Sequence, residues 1–191
     1  MIDHRKIVGN FFEEKVSEIF NLERTDRIDL PDRISEDKRF YVEIKGSSYI
    51  NGGVIKKEQL YKFDDIINAR RFYAFGYHSI KKDMMKKYRT KKTLLKDLDL
   101  RSLFLFPFSI VKAHYENSKK RYYQDYSQHK TIYYVQIKES LAKKIFNKNK
   151  DAWKALSLDT ANYKFFMKRN IHVITREGNL EEAIKEALYF S

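Results

Sequence analysis

Turn-forming residues are scarce in this chain: 6 glycines and 2 prolines in 191 residues. A sandwich or barrel of many short strands needs a tight turn about every 8–12 residues, so that architecture is disfavoured. The chain must join fewer, longer elements, and its periodicity says which they are. Residues 5–20 place Ile7, Phe11, Phe12, Val16, Ile19 and Phe20 at helical spacing. Residues 21–35 are polar, with a short strand and a break at Leu30-Pro31. Residues 39–45 then alternate: Phe40, Val42 and Ile44 point one way, Tyr41, Glu43 and Lys45 the other. Gly46 to Gly53 reads as a loop, and a helix over 56–70 buries Leu60, Phe63, Ile66 and Ile67. Strands are predicted over 72–77, 103–111 (interrupted by Pro107), 131–137 and 171–175. Helices are predicted over 139–147, over 160–169 with Asp159 as N-cap, and from an Asn179/Glu182 capping box to about 190. Strands alternating with helices predict an α/β or α+β chain with a mixed sheet.

Neither a repeat nor a low-complexity linker divides the sequence, so one domain over 1–191 is expected. Its 42% hydrophobic content, with 14 Phe, 14 Tyr and 1 Trp, excludes global disorder. The absence of Cys excludes disulfides and thiolate zinc sites and fits a reducing, cytoplasmic location. No apolar run approaches a membrane span, and the first 15 residues do not read as a signal peptide. No phosphate-loop motif occurs, so no nucleotide cofactor is expected, and the five histidines lack metal-ligand spacing. The net charge of +13 is unevenly spread. Residues 1–60 hold 11 Lys/Arg and 12 Asp/Glu; residues 61–191 hold 28 and 14. An acid-bearing first part and a basic remainder suit a polyanionic partner, although a lysine-rich solvated surface would also give such a composition.

The acids are arranged for chemistry at one place. Glu43 and Lys45 leave the same face of one strand, and Asp32 lies at hairpin distance upstream. Two carboxylates at a sheet edge can hold Mg²⁺, which takes oxygen ligands and keeps several waters. A lysine beside them can orient a water and offset charge on a phosphoryl group. Two other Glu-x-Lys triplets exist, at Glu13-Glu14-Lys15 and Glu36-Asp37-Lys38, but only Glu43-Ile44-Lys45 lies on an alternating strand. A solvated Glu/Lys pair on an edge strand is the competing reading.

Four motifs follow in order: Gly9-Asn-Phe-Phe-Glu13 on a helix, Pro31-Asp32 before a turn, Glu43-Ile-Lys45-Gly-Ser on a strand, and Lys57-Glu-Gln59-Leu opening a helix. This order resembles the PD-(D/E)xK nuclease superfamily, most closely the archaeal Holliday junction resolvases and some restriction endonucleases, over residues 5–78. The resemblance implies a restriction-endonuclease-like α/β core, a mixed central β-sheet flanked by helices, with a basic C-terminal extension. It implies Asp32 and Glu43 as metal ligands, Lys45 as the catalytic lysine, Glu13 as a helix-borne acid supporting the metal, and Gln59 as a supporting polar residue. Mg²⁺ is the implied cofactor, with Mn²⁺ as a substitute. Asp26 or Asp29 competes with Asp32, and Glu14 with Glu13. Some subfamilies place a tyrosine four residues after the glutamine; here Phe63 stands there, with Tyr61 nearby, which disfavours the exonuclease-like branches.

On this reading residues 1–80 carry the catalytic core and 81–191 the basic, DNA-binding and structural part. Residues 81–96 hold eight basic residues and one acid, so Lys81, Lys82, Lys86, Lys87, Arg89, Lys91 and Lys92 are expected phosphate contacts. A solvated helix with Met84/Met85 and Leu94/Leu95 packed is the alternative. Lys119, Lys120 and Arg121, interleaved with Tyr115, Tyr122, Tyr123 and Tyr126, are a second DNA-binding candidate, or a mobile loop. The expected activity is an Mg²⁺-dependent endodeoxyribonuclease of restriction type, acting as a homodimer because two strands need two sites. A Holliday junction resolvase, another structure-specific nuclease and a non-catalytic nucleic-acid-binding protein are the rivals.

Overall fold

A computed structural model describes residues 2–25, 27, 29–64, 66, 69–155 and 171–173. Helix α1 (His4–Phe20) opens on the Asp3 side chain, which accepts from the Arg5 and Lys6 amides, and closes on Asn21 in a left-handed conformation. Its Val8, Phe12 and Val16, one every four residues, form the buried stripe. Strands β1 (Leu22–Arg24), β2 (Arg33–Ser35) and β3 (Phe40–Ser48) follow. Then come β4 (Gly53–Lys56), α2 (Lys57–Asp64) and β5 (Arg70–His78). Short helices α3 (Lys82–Met85) and α4 (Lys91–Asp97) lead to β6 (Ser102–Pro107) and α5 (Phe108–Asn117). A hairpin of β7 (Arg121–Asp125) and β8 (Lys130–Ile137) precedes α6 (Glu139–Ala155) and β9 (Ile171–Val173).

The central sheet is mixed, in the order β1-β2-β3-β5-β6-β9. β3 and β5 are parallel over nine register pairs, from Phe40↔Arg70 to Ser48↔His78. β4 leaves that sheet and joins β8 and β7 in a second, antiparallel sheet of order β4-β8-β7. From Phe72 to His78 every residue of β5 is buried, as a strand covered on both faces must be. One core lies under α1 and α4 and contains Phe12, Val42, Ile44, Phe72, Ala74, Leu94 and Leu98. The other lies on the opposite face and contains Tyr73, Phe75, Tyr77, Phe104 and Phe106 with Ile55, Phe63, Val111 and Val135. The chain is therefore mixed α/β with a mixed central sheet flanked by helices. Among the described residues no helix is long and apolar enough to cross a membrane.

Two glycines set the distance between α1 and the sheet. Gly46 and Gly76 are register partners, and a Cβ on either would come within 2.3 or 2.1 Å of the Phe12 ring. The ring fills the slot they leave. This is a close approach of helix to backbone that only glycine permits.

Several boundaries differ from the periodicity. The strand predicted over 103–111 stops at Pro107, because that proline lacks an amide to extend the ladder and instead precedes α5. β3 runs on to Ser48, into the predicted loop, because parallel pairing with β5 continues there. The described part of the helix predicted over 56–70 ends at Asp64. The 81–96 segment is two short helices with Thr90 capping the second, so its lysines do not share one helical face. The Tyr-rich stretch 115–126 is the end of α5 and the first strand of a hairpin rather than a loop. The helices expected over 160–169 and 179–190 lie outside the described residues.

Candidate functional site

The alternation of β3 divides its side chains as the sequence implied: Phe40, Val42 and Ile44 join the core under α1, and Glu43 and Lys45 face the other way. β2 pairs with β3 only as far as Arg33↔Val42. One residue before that pair the two strands part. There the Asp32 carboxylate takes over from the missing strand, its Oδ2 accepting from the Ile44 amide at 2.7 Å. The sheet edge is thus closed by a side chain rather than by backbone. That holds Asp32 rigidly beside the residue after Glu43.

Glu43 is 2% exposed. Its Oε1 accepts from Lys45 Nζ at 2.5 Å and from Gln59 Nε2 at 3.1 Å. Gln59 itself is fixed because its Oε1 accepts from the Lys56 amide at 3.3 Å. The other carboxylate oxygen, Oε2, is buried with no hydrogen-bond partner among the described residues. Burial raises the Glu43 pKa, Lys45 pulls it down, and the Asp32 charge pushes it up again. An unsatisfied buried carboxylate oxygen is costly, and such atoms cluster where a ligand, ion or water completes the site. Tyr73, the register partner of Glu43 on β5, is fully buried, and its hydroxyl also has no partner among the described residues. Burial and then the Glu43 and Asp32 charges raise its pKa, so it stays a protonated donor. Nothing in the sequence spacing singled out Tyr73; only the parallel register places it.

A cleft of about 340 Å³ opens at this edge, lined by Glu13, Asp32, Arg33, Lys62, Arg24 and Arg27 among others. Lys62 also donates to the Leu30 carbonyl at 3.4 Å. Four cations facing two acids make the cleft suited to an anion. The structure thus joins Asp32, Glu43, Lys45 and Gln59. It places Glu13 differently. Arg33 shares a face with Val42, toward α1, and there its guanidinium pairs with Glu13 at 3.0 Å and donates to Ser17 at 2.7 Å. Glu13 lines the cleft with Asp32, while Glu43 and Lys45 project from the opposite face of β3. Among the described residues no group of three or more His, Asp or Glu could hold a metal ion together. The donors that do fit Mg²⁺ are Asp32 and Glu43, whose free Oε2 leaves a lone pair for it; a magnesium site needs only one or two carboxylates, the rest being water and phosphate. Of the rival acids, Asp29 is exposed and tied to Arg27, Glu14 is exposed on α1, and Asp26 lies outside the described residues.

The expected DNA contacts separate into two places. Lys81, Lys82, Lys86, Lys87, Arg89, Lys91 and Lys92 are all exposed, on a segment that leaves the C-terminal end of β5 and packs Leu94 and Leu98 into the α1-side core. They lie on the face of the sheet away from Glu43. Lys119, Lys120 and Arg121 lie where α5 turns into β7; Lys120 donates to the Glu116 carbonyl at 2.8 Å, and Arg121 to Gln136 at 3.0 Å. Arg24, Arg27, Arg33 and Lys62 were not legible as a cluster, since the three arginines come from the charge-balanced first part and Lys62 from a helix about 30 residues further on. Compared with protein-family models, with curated proteins and with solved structures, the chain has no significant match.

Proposed function

We propose that this protein is an Mg²⁺-dependent endodeoxyribonuclease with a restriction-endonuclease-like core. The observation that carries the reading is the buried Glu43, close enough to feel the Asp32 charge, with one oxygen held by Lys45 and Gln59 and the other without a partner among the described residues. Asp32 and Glu43 would hold the metal, and Mn²⁺ would substitute. A divalent ion at such a pair supplies Lewis-acid chemistry, polarising a phosphoryl oxygen and lowering the pKa of a bound water. The chain's own residues do the rest. Gln59 fixes the Glu43 carboxylate, and Lys45 orients the attacking water and offsets the charge that grows on the phosphoryl group. Tyr73 contributes a protonated hydroxyl on the same face. Arg24, Arg27 and Lys62 receive the phosphate in the cleft, and Glu13 holds Arg33 in place.

Restriction-type cutting of a duplex by a symmetric dimer is the first form of this reading, and a junction resolvase or other structure-specific nuclease the second. A non-catalytic nucleic-acid-binding protein is the rival from another class; the short Lys45–Glu43 pair favours it to the extent that Glu43 merely neutralises the lysine. Supercoiled plasmid and synthetic four-way junctions, incubated with Mg²⁺ and with EDTA, decide between them. The nuclease reading expects Mg²⁺-dependent cuts that Asp32→Ala and Glu43→Ala abolish while DNA binding persists or tightens. Lys45→Ala loses cutting and keeps metal binding by calorimetry. Full activity in either carboxylate variant overturns the assignment.

A further inference from the structure

A second cleft, of about 490 Å³, is lined by Tyr61, Tyr115 and Tyr133 and by Lys57, Lys112 and Lys120. Tyr61 and Tyr133 are about half exposed, at 52% and 51%. Tyr122, still more exposed, continues the row 6.2 Å from Tyr133. The cations stand against the rings, Lys57 5.6 Å from Tyr61 and Lys120 5.3 Å from Tyr115. Exposed aromatic walls interleaved with lysines provide both faces for stacking and charge for a backbone. The carboxylate of Glu116, also at this cleft, can accept from the exocyclic amine of a base.

Helix α2 stands between the two clefts. At about 100° per residue, Gln59 and Lys62 project roughly opposite to Lys57, Leu60 and Tyr61. The first pair serves Glu43 and the cleft beside it; the second set lines the tyrosine cleft. The two are therefore separated by about one helix diameter, ~10 Å. We propose that the tyrosine cleft binds an unpaired nucleobase of the strand whose phosphate lies at Glu43 and Lys45. The inference rests on the structure-specific form of the nuclease reading rather than its restriction form, and it makes the substrate class DNA with a single-stranded portion, such as a fork, flap or gap. In continuous duplex the bases are already stacked on each other and unavailable to the tyrosines.

The test uses the full chain in EDTA with a single-stranded oligonucleotide carrying 2-aminopurine, and with the same oligonucleotide annealed to its complement. The wild type binds the single strand more tightly and changes the 2-aminopurine fluorescence on stacking. Tyr61→Ala with Tyr133→Ala loses roughly 10- to 100-fold in single-strand affinity, while the Phe versions retain it. Both positions are half exposed, so the substitutions leave the fold intact, which circular dichroism checks. Unchanged affinity in the double Ala variant overturns the cleft. Cleavage of a forked substrate with Mg²⁺ is measured in parallel. A wild type that cuts, with tyrosine-independent binding, defeats the cleft alone. Tyrosine-dependent binding by a wild type that never cuts defeats the nuclease reading and upholds the cleft as a single-strand binding surface.

Discussion

The two faces of the β3–β5 pair are built on different terms. Toward α1 the face is mostly apolar and closed: Phe12 sits in the slot of Gly46 and Gly76, flanked by Val42, Ile44 and a buried His78 whose Nδ1 has no partner among the described residues. On the other face the same two strands present Glu43, Lys45 and Tyr73, with two buried oxygens that lack a partner among the described residues. One face is built mainly from apolar contact, with a single neutral nitrogen unpaired. The other retains a cost that packing alone would remove, since a buried ion pair is often replaceable by apolar residues without loss of stability. Stability is invested on one side of a strand and spent on the other, which is how functional sites depart from local rules.

The sharpest way to break the contrast is Phe12→Ala. Emptying the glycine slot should lower unfolding free energy by about 3–5 kcal/mol in urea titrations. Gly46→Ala should also destabilise, but less than additively with Phe12→Ala, because the new methyl group enters the vacated space. A loss below about 1 kcal/mol for Phe12→Ala would mean that the slot is not the anchor of α1.

Titration sharpens the contrast next, because the faces respond to pH with opposite signs. Burial lowers the His78 pKa to about 4, with Asp99 pulling weakly the other way. Between pH 6.5 and 4 the unfolded chain binds a proton that folded His78 refuses, so stability falls as pH falls, by about 3 kcal/mol in total. His78→Gln should remove that slope. Glu43, its pKa raised, binds its proton more tightly when folded, so it contributes stability that is lost as pH rises above the ordinary carboxylate range. Glu43→Gln should remove the opposite slope. Equal slopes in both variants and wild type would erase the distinction.

The smallest effect tests the helix rather than the slot. A Cβ on Gly9 would meet nothing within 4 Å among the described residues, unlike Gly46 or Gly76. Gly9→Ala should therefore stabilise by about 0.5–1 kcal/mol through helix propensity, read as a higher Tm. Destabilisation would reveal a contact that the fold does not show.

What the sequence made legible follows from period and spacing. Alternation over 39–45 assigned Glu43 and Lys45 to one face, and Gln59 on the next helix reaches that face. Three-dimensional facts were beyond it. That Asp32 would act by replacing a strand acceptor depends on where β2 and β3 part. That Glu13 would pair with Arg33 depends on which face α1 covers, and Arg33 takes its face from Val42. Tyr73 is invisible without the parallel register. The charge arithmetic directed attention to 81–96, whereas three of the four cations beside the acids come from the balanced first part, because net charge sums over residues that folding separates.

The departure of β4 from the central sheet has a consequence in time. Gly53 pairs with Ile137, 84 positions later, and Tyr77 donates its hydroxyl to the Ile137 carbonyl at 2.7 Å. A ribosome adding roughly 5–20 residues per second leaves β4 without its partner for about 4–17 s. During that interval Ile55 and the aromatic underside of β5 have no second sheet to cover them. The strand bearing Glu43 and Lys45 is thus synthesised early and finished late, and the wall behind the site closes only when β8 emerges.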